Sequence, residues 1–501
     1  MTRATLAPTI RTTALAAAQQ LSNQVLINGS LRGTAQSRSF DLHDPATGEL
    51  ICQVADAGVE DVDAAVAAAL AAQSAWASRP ARERGKIVAE GGRILAEHTD
   101  ELAALLTLES GKALRTECRG EAGNVADVLQ FFGGLASEIK GETVPSTNGI
   151  LTYTEREPVG VVAAVLPWNV PLMLMAIKIA PALVTGNAVV VKTAEETPLA
   201  VLRIAELLNR VLPQGVLNVL SGDGTGCGAP LVAHPDVKKV TFTGSVETGK
   251  LIYGAAAQKL IPVTLELGGK SPMLVLEDAD FDRAVDGALV AMRFTRQGQS
   301  CTAASRIFVH RSLHDEFVAK LTAKVGQLVI GDPFDDTTDI GTIISRVQLD
   351  KVNGYIERGK AVAGATAHEC GTLPTDERLR AGFFGQPVVF TGITNSDPLA
   401  REEIFGPVTC VIPFDTVDEA IALANDSDFG LTASVWTRDF RTAMRTVKAL
   451  EAGYVQVNQA QVASLGISMG GVKQSGLGRE LTLESMLEHF THRKSVVLNF
   501  E

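Results

Sequence analysis

The chain has 501 residues, 46% hydrophobic and 20% charged, a composition that excludes a disordered polypeptide and implies more than one globular domain. Its 45 basic and 57 acidic residues give a net charge of −12, which argues against a nucleic-acid partner or a polyanionic surface. Six cysteines (52, 118, 227, 301, 370, 410) show no metal-like spacing and the eight histidines no HExxH, so neither structural disulfides nor a metal site is expected, and a reducing, cytoplasmic location is.

The first 40 residues lack Asp and Glu and carry Arg3, Arg11, Arg32 and Arg38. This is mildly like a transit peptide, but the arginine density is low and an N-terminal arm is the favoured reading. Residues 24–55 read as short strands joined by turns, with Asp44-Pro45-Ala46-Thr47-Gly48 the clearest turn. From Val59 to about Lys140 the pattern is helical, punctuated by Gly91, Gly92 and Gly111. Thr143–Thr147 and Ile150–Glu155 flank Asn148-Gly149, a strong hairpin signal. An isolated hairpin is marginal, so this one is expected to pair with something else, another subunit being one option.

Val161–Val184 is almost entirely apolar, yet it contains Pro167, Pro171, Pro181, Asn169 and Lys178. These would be costly in lipid, so a buried strand, a loop and a buried helix are expected and no membrane partner. Strands then follow at Ala188–Thr193, Val216–Leu220, Val237–Phe242 and Val263–Leu267, separated by helices that include Leu199–Leu212 and Glu247–Gln258. Such alternation predicts an α/β fold with a parallel sheet and a nucleotide at the carboxyl ends of its strands. A second α/β region is expected from Met273–Val275, Arg306–Val309, a helix from Leu313 to about Val325, and strands near Val388, Val408–Ile412 and Ala433–Trp436. Val496–Phe500 closes the chain as an alternating strand.

Special residues fall at the predicted strand ends. Gly222–Gly228 reads GxGxxxG, one residue longer than the usual dinucleotide fingerprint and weak alone. Gly244-Ser245 opens a helix and would suit an anion, although a plain N-cap is the simpler reading. Glu266 is a lone carboxylate in the apolar Leu265–Leu267. Burial there would raise its pKa and suit a general base; a solvent-facing strand end is the alternative. Cys301 stands among small polar residues rather than in an apolar run, as a nucleophile would.

Leu166–Asn169, Lys192 through Glu195, Phe242–Ser245, Leu265–Pro272, Gln297–Cys301, Glu402–Pro407 and Gly470–Glu480, in this order, resemble the motifs of the aldehyde dehydrogenase superfamily, from about residue 25 to the end. The resemblance implies NAD-dependent oxidation of an aldehyde to the acid through a Cys301 thiohemiacetal and thioester, with Asn169 at the oxyanion and Glu266 as the deacylating base. Glu266 places it in the hydrolytic branch, since members that acylate coenzyme A typically lack this residue. Carried over position by position, Lys192 and Glu195 match the adenosine-ribose pair, and Glu195 favours NAD over NADP. Trp168, Gly224, Gly228, Gly244 and Ser245 match positions around adenosine and pyrophosphate. Leu267, Glu403 and Phe405 match positions near the nicotinamide, and Gln348 and Lys351 weaker ribose contacts.

The resemblance further implies a parallel-sheet NAD-binding domain (1–139 and 160–267), an α/β catalytic domain (268–483), and a small β oligomerisation arm (140–159 and 484–501), hence a homodimer or homotetramer. The chain departs from the family pattern at Arg296, where Asn is usual, and at Ser468-Met469, where Pro-Phe is usual. Val170, Ile177 and Ala463 stand where aromatic residues commonly line the aldehyde funnel, which suggests an open aliphatic funnel for an aromatic or long-chain aldehyde. Arg293 and Arg296 could bind a semialdehyde carboxylate. A thiol esterase using Cys301, Asn169 and Glu266 without NAD is the alternative reading from a different class.

Overall fold

The computed structural model describes residues 6–461 and 464–501. Arg3 and Ala463 lie outside the described residues. The first sheet has eight strands in the spatial order Ser30–Arg32, Val25–Ile27, Leu217–Leu220, Ala188–Lys192, Val161–Val165, Val237–Thr243, Val263–Glu266 and Gly476–Leu477. Its five central strands are parallel, and their near-continuous Val, Ala and Leu runs are buried because helices cover both faces. The strand order reverses between Val161–Val165 and Val237–Thr243, which opens a crevice beyond their carboxyl ends.

The second sheet has seven strands, Thr366–Glu369, Val388–Thr391, Val408–Phe414, Arg306–His310, Pro272–Val275, Thr432–Trp436 and Tyr454–Val457, all parallel except the first. The two sheets join directly: Val263–Glu266 ends the parallel run of the first, and Leu267–Ser271 leads into Pro272–Val275 of the second. The carboxyl edge of one sheet thereby meets the amino edge of the other. Gly476–Leu477 crosses back to pair antiparallel with Leu265 and Glu266, so late residues seal this junction.

Several expectations change in detail. Gly91 and Gly92 do not interrupt a helix; they lie inside Ala81–Glu97. This helix packs closely on Arg119–Gly134, and a Cβ on Gly85 would sit 2.4 Å from the Gly133 carbonyl oxygen. Helix propensity loses to packing there. The apolar Val161–Val184 stretch resolves into a strand and a helix, Pro171–Val184, with Pro171 in its first turn. No helix among the described residues is long and apolar enough to cross a membrane.

The expected tight hairpin is wider: Thr143–Val144 pairs with Thr152–Tyr153, leaving Pro145 to Gly149 as the loop. Its long strand, Ile150–Pro158, pairs along its length with Thr491–Asn499 of the same chain, so the closing strand starts well before Val496. The acid-free N-terminus forms a helix, Leu6–Gln20, that buries Ala14 and Ala18. Arg11 on this helix pairs with Asp44 and, at 2.6 Å, with Asp332, tying the two sheet bodies together.

Candidate active site

Cys301 lies where the sheets meet, on the turn between a short 3₁₀ segment, Phe294–Arg296, and the strand Arg306–His310. Arg293 (φ 55°) and Gln297 (φ 58°) bracket that segment in the left-handed region, a conformation with a steric cost for both. The turn is pinned by Gln299, whose Oε1 accepts the Ile344 N–H at 3.0 Å, and by the Ala304 N–H donating to Ala291. A Cβ on Gly269 would stand 2.1 Å from the Cys301 carbonyl oxygen, so only glycine lets the inter-sheet link pass this close.

Among the six cysteines, Cys301 alone is not fully buried. Its thiol is pushed up to about 12, first by burial and then by the Glu403 and Glu266 charges, while Arg296 opposes. At neutral pH the resting group is therefore a thiol, and nucleophilic attack needs a base.

Glu266 meets that requirement. It ends the strand Val263–Glu266, in register with Thr243 on one side and Gly476 on the other. Its Oε1 is buried without a hydrogen-bond partner among the described residues. Burial raises its pKa well above the ordinary value, and the Glu480 charge adds to this against Lys178 and Arg479. The fully buried Lys178 pairs with Glu480 at 2.8 Å and donates to Thr241 Oγ1 at 3.3 Å. Glu480 is thus neutralised, and Glu266 is left as the one of the two carboxylates without an ion pair.

Asn169 follows the strand Val161–Val165 and is buried; its Nδ2 donates to the Gln299 carbonyl at 3.1 Å, beside the Cys301 turn. The Asn169 carbonyl accepts from Lys112 Nζ at 2.8 Å. Lys112 pairs with Glu121 at 2.5 Å, and Glu121 Oε1 accepts the Leu172 N–H at 2.9 Å. A buried ion pair thus fixes Asn169 from behind and anchors the start of the next helix.

The residues expected around a dinucleotide stand at the carboxyl ends of the first sheet. Lys192 Nζ lies 3.2 Å from Glu195, and the Glu195 side chain is 41% exposed, so its carboxylate faces outward while the lysine is buried. Gly224–Gly228 forms one π-helical turn, capped by Asp223, whose carboxylate accepts the Thr225 N–H at 2.7 Å; nothing approaches Gly224 on its side-chain face within 4 Å. Ser245 caps the helix Val246–Lys259 by accepting the Thr248 N–H at 3.2 Å, and Gly244 packs on the Phe242 ring.

Trp168 meets Phe405 edge to face at 5.2 Å. Leu267 is buried and its N–H donates to Ser475 at 2.8 Å. Glu403 accepts the Gly269 N–H at 2.8 Å. Gln348 donates to the Ile404 and Phe405 carbonyls at 3.1 and 2.9 Å, and Lys351 to the Glu403 carbonyl at 3.2 Å. In this structure they hold the backbone of the Glu403–Phe405 loop.

Around the other side of Cys301, Arg296 binds Glu117 at 2.5 Å, and Thr295 Oγ1 donates to the same carboxylate at 2.5 Å. Burial works to raise Glu117, but the Arg296 charge and the Thr295 hydrogen bond outweigh it and hold its pKa low. Val170 and Met469 are half-buried, whereas Ile177 is buried. Sequence reasoning passed over Lys112, Glu117, Glu121 and Gln461. Glu117 and Glu121 are spaced as a solvated helix face would be, and only tertiary contact reveals them as buried. Lys178 did leave a signal, as a charge inside an apolar run.

A crevice at the carboxyl ends of the first sheet's strands, a buried carboxylate without an ion pair and a half-buried thiol thus lie at the junction of the two sheets. The model of the aldehyde dehydrogenase family matches residues 33–496, so the chain belongs to that family. It is similar to the aldehyde dehydrogenase of Bacillus cereus solved as its NAD+ complex, at 38% identity and TM-score 0.92, over 96% of this chain and 97% of the other. It is also similar to betaine aldehyde dehydrogenase of Staphylococcus aureus in complex with NAD+, at 37% identity and TM-score 0.94, over 98% of both chains.

Proposed function

We propose that this chain oxidises an aldehyde to its carboxylic acid with NAD, using Cys301 as nucleophile and Glu266 as the base that clears the acyl-enzyme. The observation that carries the reading is the meeting at one junction of a half-buried, protonated Cys301 and a buried carboxylate of raised pKa that lacks an ion pair. The donor set also suits a dinucleotide. Glu195 offers a carboxylate to ribose hydroxyls, the start of Val246–Lys259 offers N–H groups and a dipole to pyrophosphate, and Trp168 and Phe405 offer apolar faces. Lys192, Gly224, Gly228, Gly244, Ser245, Leu267 and Glu403 complete the set. The Glu195 carboxylate would repel a 2′-phosphate, which favours NAD over NADP.

Glu266 takes the Cys301 proton as Sγ attacks the carbonyl carbon, giving a thiohemiacetal. Asn169 Nδ2 and the Cys301 N–H steady the oxyanion, and one such donor is worth roughly 3 kcal/mol. Bound NAD supplies the hydride acceptor that converts this adduct into a thioester on Cys301. Glu266 passes that proton to solvent and then takes one from water as the hydroxyl adds to the thioester; the acid leaves, and the thiolate recovers a proton from Glu266.

Residues 1–139 and 160–267 form the NAD-binding domain, 268–483 the catalytic domain, and 140–159 with 484–501 the oligomerisation arm. The arm exposes Val144, Leu151, Val497, Leu498 and Phe500, and the helix Val246–Lys259 exposes Leu251 and Tyr253. Such apolar surface supports a homodimer or homotetramer, and the reduced cysteines a cytoplasmic location. Half-buried Val170 and Met469 leave the funnel aliphatic, which suits an aromatic or long-chain aldehyde. Following NADH absorbance with NAD and a panel of aldehydes tests the reading; ester cleavage without NADH from any aldehyde would favour a thiol esterase instead.

A further inference from the structure

Arg293 is a half-buried cation beside the reactive turn whose Nε has no partner. The guanidinium stays charged at any working pH, and burying it is costly unless its donors are met. Several neighbouring cations meet theirs: Lys112 has Glu121, Lys178 has Glu480, and Arg296 has Glu117, whereas Lys270, on the inter-sheet link, also has a buried Nζ without a partner. Arg306 lacks a carboxylate but donates to the Lys270, Leu423 and Ala424 carbonyls and to Asn395. Arg293 has one long contact, from Nη2 to the Gln461 carbonyl at 3.4 Å. Its Nε is buried with no partner, and among the described residues it forms no ion pair. The one carboxylate close by, Glu117, is already engaged by Arg296 and Thr295.

The position of Arg293 is held against local strain. Its φ is 55°, and its carbonyl accepts the Arg296 and Gly298 N–H groups, both at 2.9 Å, folding the chain back toward the nucleophile. Gln461 ties it to the reactive turn: the Gln461 carbonyl accepts from Arg293, its Nε2 donates to the Thr302 carbonyl at 2.7 Å, and its Oε1 accepts from Thr302 Oγ1 at 2.8 Å. Burial depresses the Arg293 pKa to about 10, with Arg296 adding to this and Glu117 and Cys301 opposing.

We propose that Arg293 binds an anionic group of the substrate, which makes the preferred aldehydes of this chain carboxylated ones, semialdehydes in the chemical sense. The inference rests on the dehydrogenase reading above and names its substrate class. The carboxylate supplies the missing acceptor for Nε, while the carbon chain or ring between carboxylate and aldehyde occupies the aliphatic wall near Val170 and Met469.

The test compares matched pairs, 4-oxobutanoate against butanal and 4-carboxybenzaldehyde against benzaldehyde, by kcat/KM. The wild-type chain is expected to prefer the carboxylated member of at least one pair by about tenfold or more, the scale of a hydrogen bond to a charged group. Arg293→Gln should bring that ratio close to one, and Arg293→Lys should keep part of it. A thermal melt of each variant separates loss of fold from loss of recognition, and the wild-type ratio needs no variant at all. NADH from the neutral aldehydes with no carboxylate preference overturns this proposal and leaves the dehydrogenase intact. A preference that survives in Arg293→Gln overturns it as well. No NADH from any of the four aldehydes overturns both readings together.

Discussion

The two sides of Cys301 are built on different plans. On the nucleotide side, Asn169, Lys192, Ser245 and Glu266 each stand at or just beyond the carboxyl end of a parallel strand, which delivers them there, with Asn169 also held from behind by Lys112. On the other side, Arg293, Arg296, Glu117 and Gln461 come from a strained turn, a π-helical turn and a distant loop, and only mutual contacts hold them. Chemistry is placed by the sheet. On the proposed reading, substrate recognition is assembled by tertiary contact, and so can vary without touching the chemistry.

The sharpest way to break that contrast is at the nucleophile. Cys301→Ala should abolish both NADH production and NAD-independent ester cleavage, measured on one preparation; survival of either removes Cys301 as the shared nucleophile. Asn169→Ala should come next, lowering kcat by about 100-fold or more through loss of an oxyanion donor. A change confined to KM would mean that Asn169 holds substrate and not the transition state.

Lys112→Met sharpens the comparison from behind the site. It leaves Glu121 buried without its ion pair, and breaking such a pair costs about 3–5 kcal/mol. Denaturant unfolding should register that loss, and an unchanged midpoint would show that the pair is no anchor for Asn169.

The smallest effect is a matter of pH. The Glu266 carboxyl is raised well above its ordinary 4.5, so between the ordinary and the raised value the folded chain keeps a proton that the unfolded chain has released. Its contribution to stability is therefore present in acid and is lost as pH rises from the ordinary value through the raised one. Glu266→Gln removes that slope, and the Tm of the variant should gain on wild type as pH increases. A gap independent of pH would place Glu266 in a solvated, unperturbed setting.

The same contrast explains what could be read from the chain alone. Strand ends are visible in a sequence, because apolar β-branched runs stop at glycine, serine or a lone charge; Val237–Thr243 followed by Gly244-Ser245 is such a case. The Cys301 turn was visible through its small polar residues. The Lys112–Glu121 and Glu117–Arg296 pairs were not, since in each the partners occupy different segments and every member alone resembles a surface charge. Gly91 and Gly92 misled for a related reason: two glycines look like a helix break until the packing of two helices requires them. Gln348 and Lys351 fall in the expected place, yet their donors are directed at loop carbonyls, an orientation that no motif encodes.

The central claim is that an acyl group rides on Cys301 until Glu266 activates water. Mixing Glu266→Gln with NAD and an aldehyde that wild type oxidises, quenching in acid and mapping peptides by mass spectrometry, tests it directly. Slowed NADH formation is expected, because Glu266 also takes the thiol proton, with still slower turnover and the mass of the acyl group on the peptide that contains Cys301. An unmodified Cys301 peptide once NADH has formed, or wild-type turnover by the variant, would contradict it.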